Sequence, residues 1–265
     1  MRLLLGEEQH AQMARRLYEA KRTGRGIVPP SEEIEYTLDD AYLVRRRFVD
    51  LMLADGRTAK GHKIGFTSEA MQKMYGMTGP DFGQLLDDVF VPVGSPVPAS
   101  ALADARVEAE IAFVLKAPLH GPGVTVEDVL AATEYVCAAI EVIDSRVGAM
   151  RAKAVDSIAD NAGAGRVVLS DLHLDPRSAD LVGTPIEMRV DDEVQRGVSG
   201  DVMGSPAAAV AWLADKLASI DGLGGQLRAG DVVMSGSAVR SVAVRAGSRL
   251  SASFGAFGTI EIDFT

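Results

Sequence analysis

Apolar residues recur along the start of the chain at the spacing of a single helix face. Ala41, Val44, Phe48, Leu51 and Met52 mark one such face. Thr37 with Asp40 three residues later has the form of a capping box, and Gly56 supplies a stop, so the spacing predicts a helix over Thr37–Ala54. A second helix is expected from about Glu7 to Arg22, with Gly24 to Ser31 and its two prolines as the connecting loop.

Near Arg57 the helical period gives way to short β-like runs separated by Gly and Pro. Strands are expected at Gly61–Phe66, Arg106–Leu115, Val136–Ile143, Arg166–Leu169, Pro185–Val190, Asp231–Ser235, Val239–Arg245 and Thr259–Phe264. Thr125 with Asp128 opens one intervening helix, and Ser205-Pro206 opens another that runs to about Ala218. This order predicts an α+β fold, with a helical region over 1–56 and a β-rich catalytic body over 57–265.

Composition narrows the function. Among 265 residues, 47% are hydrophobic and 24% charged, ordinary values for a folded globular protein. A net charge of -10 argues against a nucleic-acid partner, which needs a basic face. Cys137 is the only cysteine, so no intrachain disulfide is expected, and the charged N-terminus and short apolar runs predict neither signal peptide nor membrane span. A cytoplasmic protein is the expectation.

Three carboxylates stand out against these patterns. In Arg106-Val-Glu-Ala-Glu-Ile-Ala-Phe-Val-Leu115 the odd positions are all apolar, which puts Glu108 and Glu110 together on the other strand face. Glu141 sits in the apolar run Val136-Cys-Ala-Ala-Ile-Glu-Val-Ile143, where an ionised group needs compensation. A solvated strand face for the first two, and a salt bridge from Glu141 to Arg146, Lys63 or another cation, are the alternatives to a metal site. Oxygen-only ligation favours a hard divalent cation over zinc. Lys63, between glycines, is a candidate electrophile or a surface ion-pair partner. Asp81, read as a turn residue, is a candidate general acid or base or a structural Asx cap.

Several stretches in order resemble the 2-keto-4-pentenoate hydratase family of the wider fumarylacetoacetate hydrolase fold. They are Gly61-His-Lys-Ile-Gly-Phe-Thr-Ser68, Pro80-Asp-Phe-Gly83 with Leu85-Leu-Asp-Asp-Val-Phe90, the Glu108/Glu110 and Glu141 segments, and Ser157-Ile-Ala-Asp-Asn-Ala162. The resemblance implies a mixed, rolled β-sheet core, Mg2+ or Mn2+ on Glu108, Glu110 and Glu141, active-site roles for Lys63 and Asp81, and a homo-oligomer, often a decamer. It also implies a small unsaturated 2-oxo acid substrate, contacted at His62, Leu86, Asn161 and Arg240, the last toward a distal carboxylate. Gly204-Ser205-Pro206, Ser235-Gly236 and Gly163 depart from the family pattern and bear on the substrate, not on the metal ligands.

Hydration of a 2-hydroxy-2,4-dienoate in aromatic catabolism is the expected activity. A 4-oxalocrotonate-type decarboxylase, a C–C bond hydrolase of the fumarylacetoacetate type and a catalytically silent ligand-binding oligomer are the alternatives. Neither Gly-x-Ser-x-Gly nor His-Glu-x-x-His occurs, which leaves serine-hydrolase and zincin readings without support.

Overall fold

The computed structural model describes residues 2–68, 72–73, 77–149, 151–220 and 225–265. Helices α1 (Glu7–Thr23) and α2 (Leu38–Ala54) form as the apolar spacing predicts. Thr37 caps α2 by accepting the Asp40 N–H, and the Asp40 carboxylate in turn accepts the Thr37 N–H, a reciprocal cap of order 1 kcal/mol. Asp40 also accepts from the backbone of Leu4 and Leu5 and pairs with His10, fastening the N-terminus across both helices.

The strands are β1 (Ala59–Gly65), β2 (Asp81–Leu86), β3 (Phe90–Val91), β4 (Ala105–Leu115), β5 (Thr133–Asp144), β6 (Ala164–Leu169), β7 (Pro185–Val190), β8 (Glu193–Val198), β9 (Val232–Ser237), β10 (Val242–Ala243), β11 (Arg249–Ser253) and β12 (Thr259–Asp263). Among the described residues, eight form one curled mixed sheet in the order β2-β1-β9-β4-β5-β6-β3, with β10 added alongside β4. The remaining four form an antiparallel sheet, β12-β11-β7-β8. Helices α3 (Val126–Ala132) and α5 (Pro206–Ser219) pack on each other, and α5 also packs on β9. Helix α4 (Ala154–Ala159) packs on α2. Thr125 and Ser205 cap α3 and α5 as the sequence suggests.

The long sheet is buried on both faces. Odd positions of β4, from Val107 to Leu115, join the main core with α5 and the second sheet. The even face carries a smaller apolar cluster of Ala112, Cys137, Ala139, Val167 and Met234 beside the glutamates. The α1–α2 layer has its own core, which takes in Leu86, Val147 and Ile158 from the body.

Four expectations change. Asp81 opens strand β2 instead of occupying a turn, because the segment pairs antiparallel with β1, Asp81 opposite Gly65. Only Val242–Ala243 of the expected strand over Val239–Arg245 pairs. Strands β3, β8 and β11 lie outside the expected runs: β3 has only two residues, and β8 lies at a sheet edge with its residues exposed or half-buried, so it shows no apolar alternation. Helix α4, of six residues, was also missed; it is too short to display a period.

Candidate active site

The register of β4 against β5 sets Glu108 directly opposite Glu141 and Glu110 opposite Ala139. Opposed residues of an antiparallel pair share a face, and positions two apart on a strand do likewise, so all three carboxylates emerge on one side. One ligand oxygen from each lies within 4.8 Å of the others. Glu110 and Glu141 are 1% and 0% exposed, and Glu110 Oε1 and both Glu141 oxygens make no hydrogen bond among the described residues.

Leaving such acceptors buried is costly unless a cation meets them. Lys63, fully buried, provides one: its Nζ stands 3.2 Å from Glu141 Oε1 and donates to the Ala162 carbonyl at 3.0 Å. Of the cations named for Glu141, Lys63 is therefore the partner, while Arg146 binds Asp160 at 2.6 Å and lies near Asp144. Three carboxylates and one ammonium leave a formal charge of -2. An all-oxygen donor set with that charge fits a hard divalent cation.

The electrostatics agree. Burial, and then the neighbouring Glu141 charge, push Glu108 up to about 7; burial with Glu141 and Glu108 holds Glu110 well above the usual carboxylate range. Burial also raises Glu141, against the pull of Lys63. Burial disfavours the Lys63 charge, but the three glutamates outweigh it and hold the ammonium above its ordinary value.

A pH dependence follows. With its folded value above the unfolded one, Glu108 contributes stability to the cation-free protein in acid, and this is lost as pH rises toward about 7. Cation binding requires the ionised carboxylates and so releases protons. The rise in Tm on adding Mg2+ is expected to be larger at about pH 8 than at about pH 5.5, with proton release seen by calorimetry in buffers of different ionisation enthalpy. A pH-independent Tm gain would count against the assignment.

Glycines make room for this cluster. Gly236, at φ +96°, forms an irregularity where β9 meets β4, and this turns its N–H onto Glu110 Oε2 at 2.8 Å. A Cβ there would stand 2.4 Å from Thr67 Cγ2. At Gly83, opposite Lys63, a Cβ would stand 2.3 Å from the Asn161 carbonyl and 3.3 Å from Lys63 Cδ, so only glycine admits both.

Above the carboxylates opens a cavity of about 430 Å3, whose lining includes Lys63, Glu108, Arg106, Arg240, Ser237 and Ile143. Arg106 lies two residues before Glu108 on the same face, held by the Ser241 hydroxyl and carbonyl at 2.9 and 2.7 Å. The period-2 pattern that singled out the glutamates also contains Arg106, which sequence reading passed over. Nothing in the sequence marks the Gly236 N–H or the Ala162 carbonyl, since both act through the backbone.

The structure does not bring every expected residue here. Register puts Asp81 on the Lys63 face, buried and behind the cavity lining, with Oδ2 lacking a partner among the described residues. Burial pushes its carboxyl up to about 6, against Arg45 and, less strongly, Lys63. Arg240 lies on the cavity lining and is exposed. His62 belongs to the other face of β1, because neighbouring strand residues point opposite ways, and it lines a separate cavity. Leu86 is packed in the core under α1 and α2. Asn161 is engaged structurally: its side chain accepts from the Gln84 N–H at 2.8 Å and donates to the Gln84 carbonyl at 2.9 Å. His62, Leu86 and Asn161, expected at the substrate, therefore lie off the lining of this cavity.

A curled sheet with a buried oxygen triad beside a largely apolar cavity has the form of an enzyme site suited to a hard cation. Residues 56–265 match the fumarylacetoacetate (FAA) hydrolase C-terminal profile, and the chain belongs to that family. Within it the chain stands among the 2-keto-4-pentenoate hydratases. It is 41% identical to 2-hydroxyhexa-2,4-dienoate hydratase of Comamonas testosteroni, with 94% of this chain and 95% of that protein covered. It is 39% identical to 2-oxo-hept-4-ene-1,7-dioate hydratase of Escherichia coli, over 98% of this chain and 100% of that one. Among solved structures, 4-oxalocrotonate decarboxylase from Pseudomonas putida G7, complexed with magnesium and adipate, matches with a TM-score of 0.94 and 32% identity over 100% of both chains.

Proposed function

We propose that this chain is a hydro-lyase of aromatic catabolism that adds water to a 2-hydroxy-2,4-dienoate or its 2-oxo tautomer, with Mg2+ or Mn2+ held by Glu108, Glu110 and Glu141. The observation that carries the reading is the buried triad with Lys63 against it, at the edge of a cavity sized for a small acid. When bound there, the cation would supply positive charge that polarises the conjugated 2-oxo acid.

The chain's own groups account for the remainder. As water adds at C4 of the conjugated 2-oxo acid, negative charge moves to the 2-oxygen, and the Lys63 ammonium is the fixed positive group that meets it. Asp81, with a carboxyl near 6 and one free oxygen, is the proton carrier, since transfer is most efficient when the carrier titrates close to working pH. Arg106 and Arg240 favour a substrate whose tail carries a second carboxylate. Ile143 and Val239 supply apolar wall for its carbon chain.

The same polarisation would serve decarboxylation, and the names of the 41% and 39% identical relatives favour hydration. Hydrolysis of a C–C bond would need a His–Glu pair, and the cavity lining contains no histidine among the described residues. With this reading go a cytoplasmic location, a homo-oligomeric assembly, and a division into a helical region, 1–56, and a catalytic body, 57–265. Among the described residues no helix is long and apolar enough to cross a membrane.

Incubating Mg2+-loaded protein with 2-hydroxypenta-2,4-dienoate and its longer carboxylated analogues tests the substrate. The expected result is loss of dienoate absorbance with gain of one water, at higher kcat/KM for the carboxylated tail. Release of CO2 without hydration would replace the reading with the decarboxylase.

A further inference from the structure

A second cavity, of about 410 Å3, lies on the face of β1 turned away from the carboxylates. Its wall includes Arg45 of α2, whose side chain is buried although it carries a full charge. The guanidinium sits 3.8 Å from the Phe82 ring centroid and 4.8 Å from that of Tyr42, and its Nη1 donates to the Phe82 carbonyl at 2.6 Å. Among the described residues no carboxylate approaches Arg45 within ion-pair distance. Asp81 acts on it only from further away.

A buried guanidinium packed against two rings, with one of its five N–H donors bonded among the described residues, is prepared for an anion. Arg46 and Arg228 line the same cavity with Asp50 and Asp231, so its wall carries three arginines against two carboxylates in a chain whose net charge is -10. Of the two acidic residues on the wall, Asp231 already accepts the backbone N–H of Arg228 at 2.8 Å. Val49, Leu53 and Leu217 provide apolar surface beside the charges, and His62, neutral on this wall, leaves its Nδ1 unpartnered among the described residues.

We infer that this cavity is a second ligand site, which takes a small organic carboxylate on Arg45 and Arg228 with its apolar body against Val49, Leu53 and Leu217. The planar fork of arginine matches a carboxylate bidentately, and the volume is that of a small-molecule site, larger than an inorganic anion needs. The strand β1 lies between the two cavities, giving His62 to this one and Lys63 to the other. Binding here requires no metal and does not depend on the reaction proposed for the first cavity.

Succinate titrated calorimetrically into Mg2+-loaded protein is the test. Binding of millimolar affinity or better is expected that survives Glu141→Gln and weakens at least about tenfold in Arg228→Ala and in Arg45→Met. Arg228 is exposed, so its variant keeps the test valid if Arg45→Met fails to fold, and circular dichroism reports on both. No binding at millimolar succinate, or binding that Glu141→Gln removes and Arg228→Ala leaves unchanged, would overturn the inference.

Discussion

Glu141→Gln is expected to lose metal-dependent turnover by about 10³-fold or more while remaining folded. The substitution keeps the shape of the side chain but removes a charge whose two oxygens are fully buried and otherwise without hydrogen bonds. Glu108 opposite it and Glu110 beside it then offer one negative charge fewer, and Lys63 loses the carboxylate 3.2 Å from its ammonium. Mg2+ affinity should fall with the activity, seen by calorimetry, and the Tm gain from Mg2+ should shrink. A folded variant that bound Mg2+ and turned over substrate like the parent would remove the triad from the mechanism.

Lys63→Met should separate binding from chemistry. Removing the ammonium takes the site from a formal -2 to -3, so affinity for Mg2+ is expected to hold or increase. Turnover is expected to fall by about 10²–10³, the loss typical of deleting a group that stabilises a developing oxyanion. The drop should appear in kcat more than in KM, because that charge develops only on the way to the transition state. Equal loss of metal binding and activity would instead assign Lys63 to holding Glu141 in place.

The sequence disclosed the triad for a definite reason. Charge at alternating positions of an apolar strand, and a glutamate inside an apolar run, both violate burial preferences, and such violations concentrate at functional sites. That Glu108 and Glu141 would face each other depended on β4–β5 register, which no local pattern states. The placement of His62 shows the opposite case: it adjoins Lys63 in sequence, but the two-residue period of β1 sends it to another cavity. Similarly, Pro80-Asp-Phe-Gly83 has turn composition, and only pairing with β1 makes it a strand. Helices α1, α2, α3 and α5 were legible because caps and apolar period are local; edge strand β8 was not, since half-exposed edges do not alternate.

The most direct measurement is the mass of the product formed from 2-hydroxypenta-2,4-dienoate in oxygen-18 water by metal-stripped and Mg2+-restored protein. The predicted result is a 4-hydroxy-2-oxo acid carrying heavy oxygen at its C4 hydroxyl, formed at an appreciable rate only with the metal restored. Hydration at an equal rate without a divalent cation, or a product that has gained no water, would contradict it.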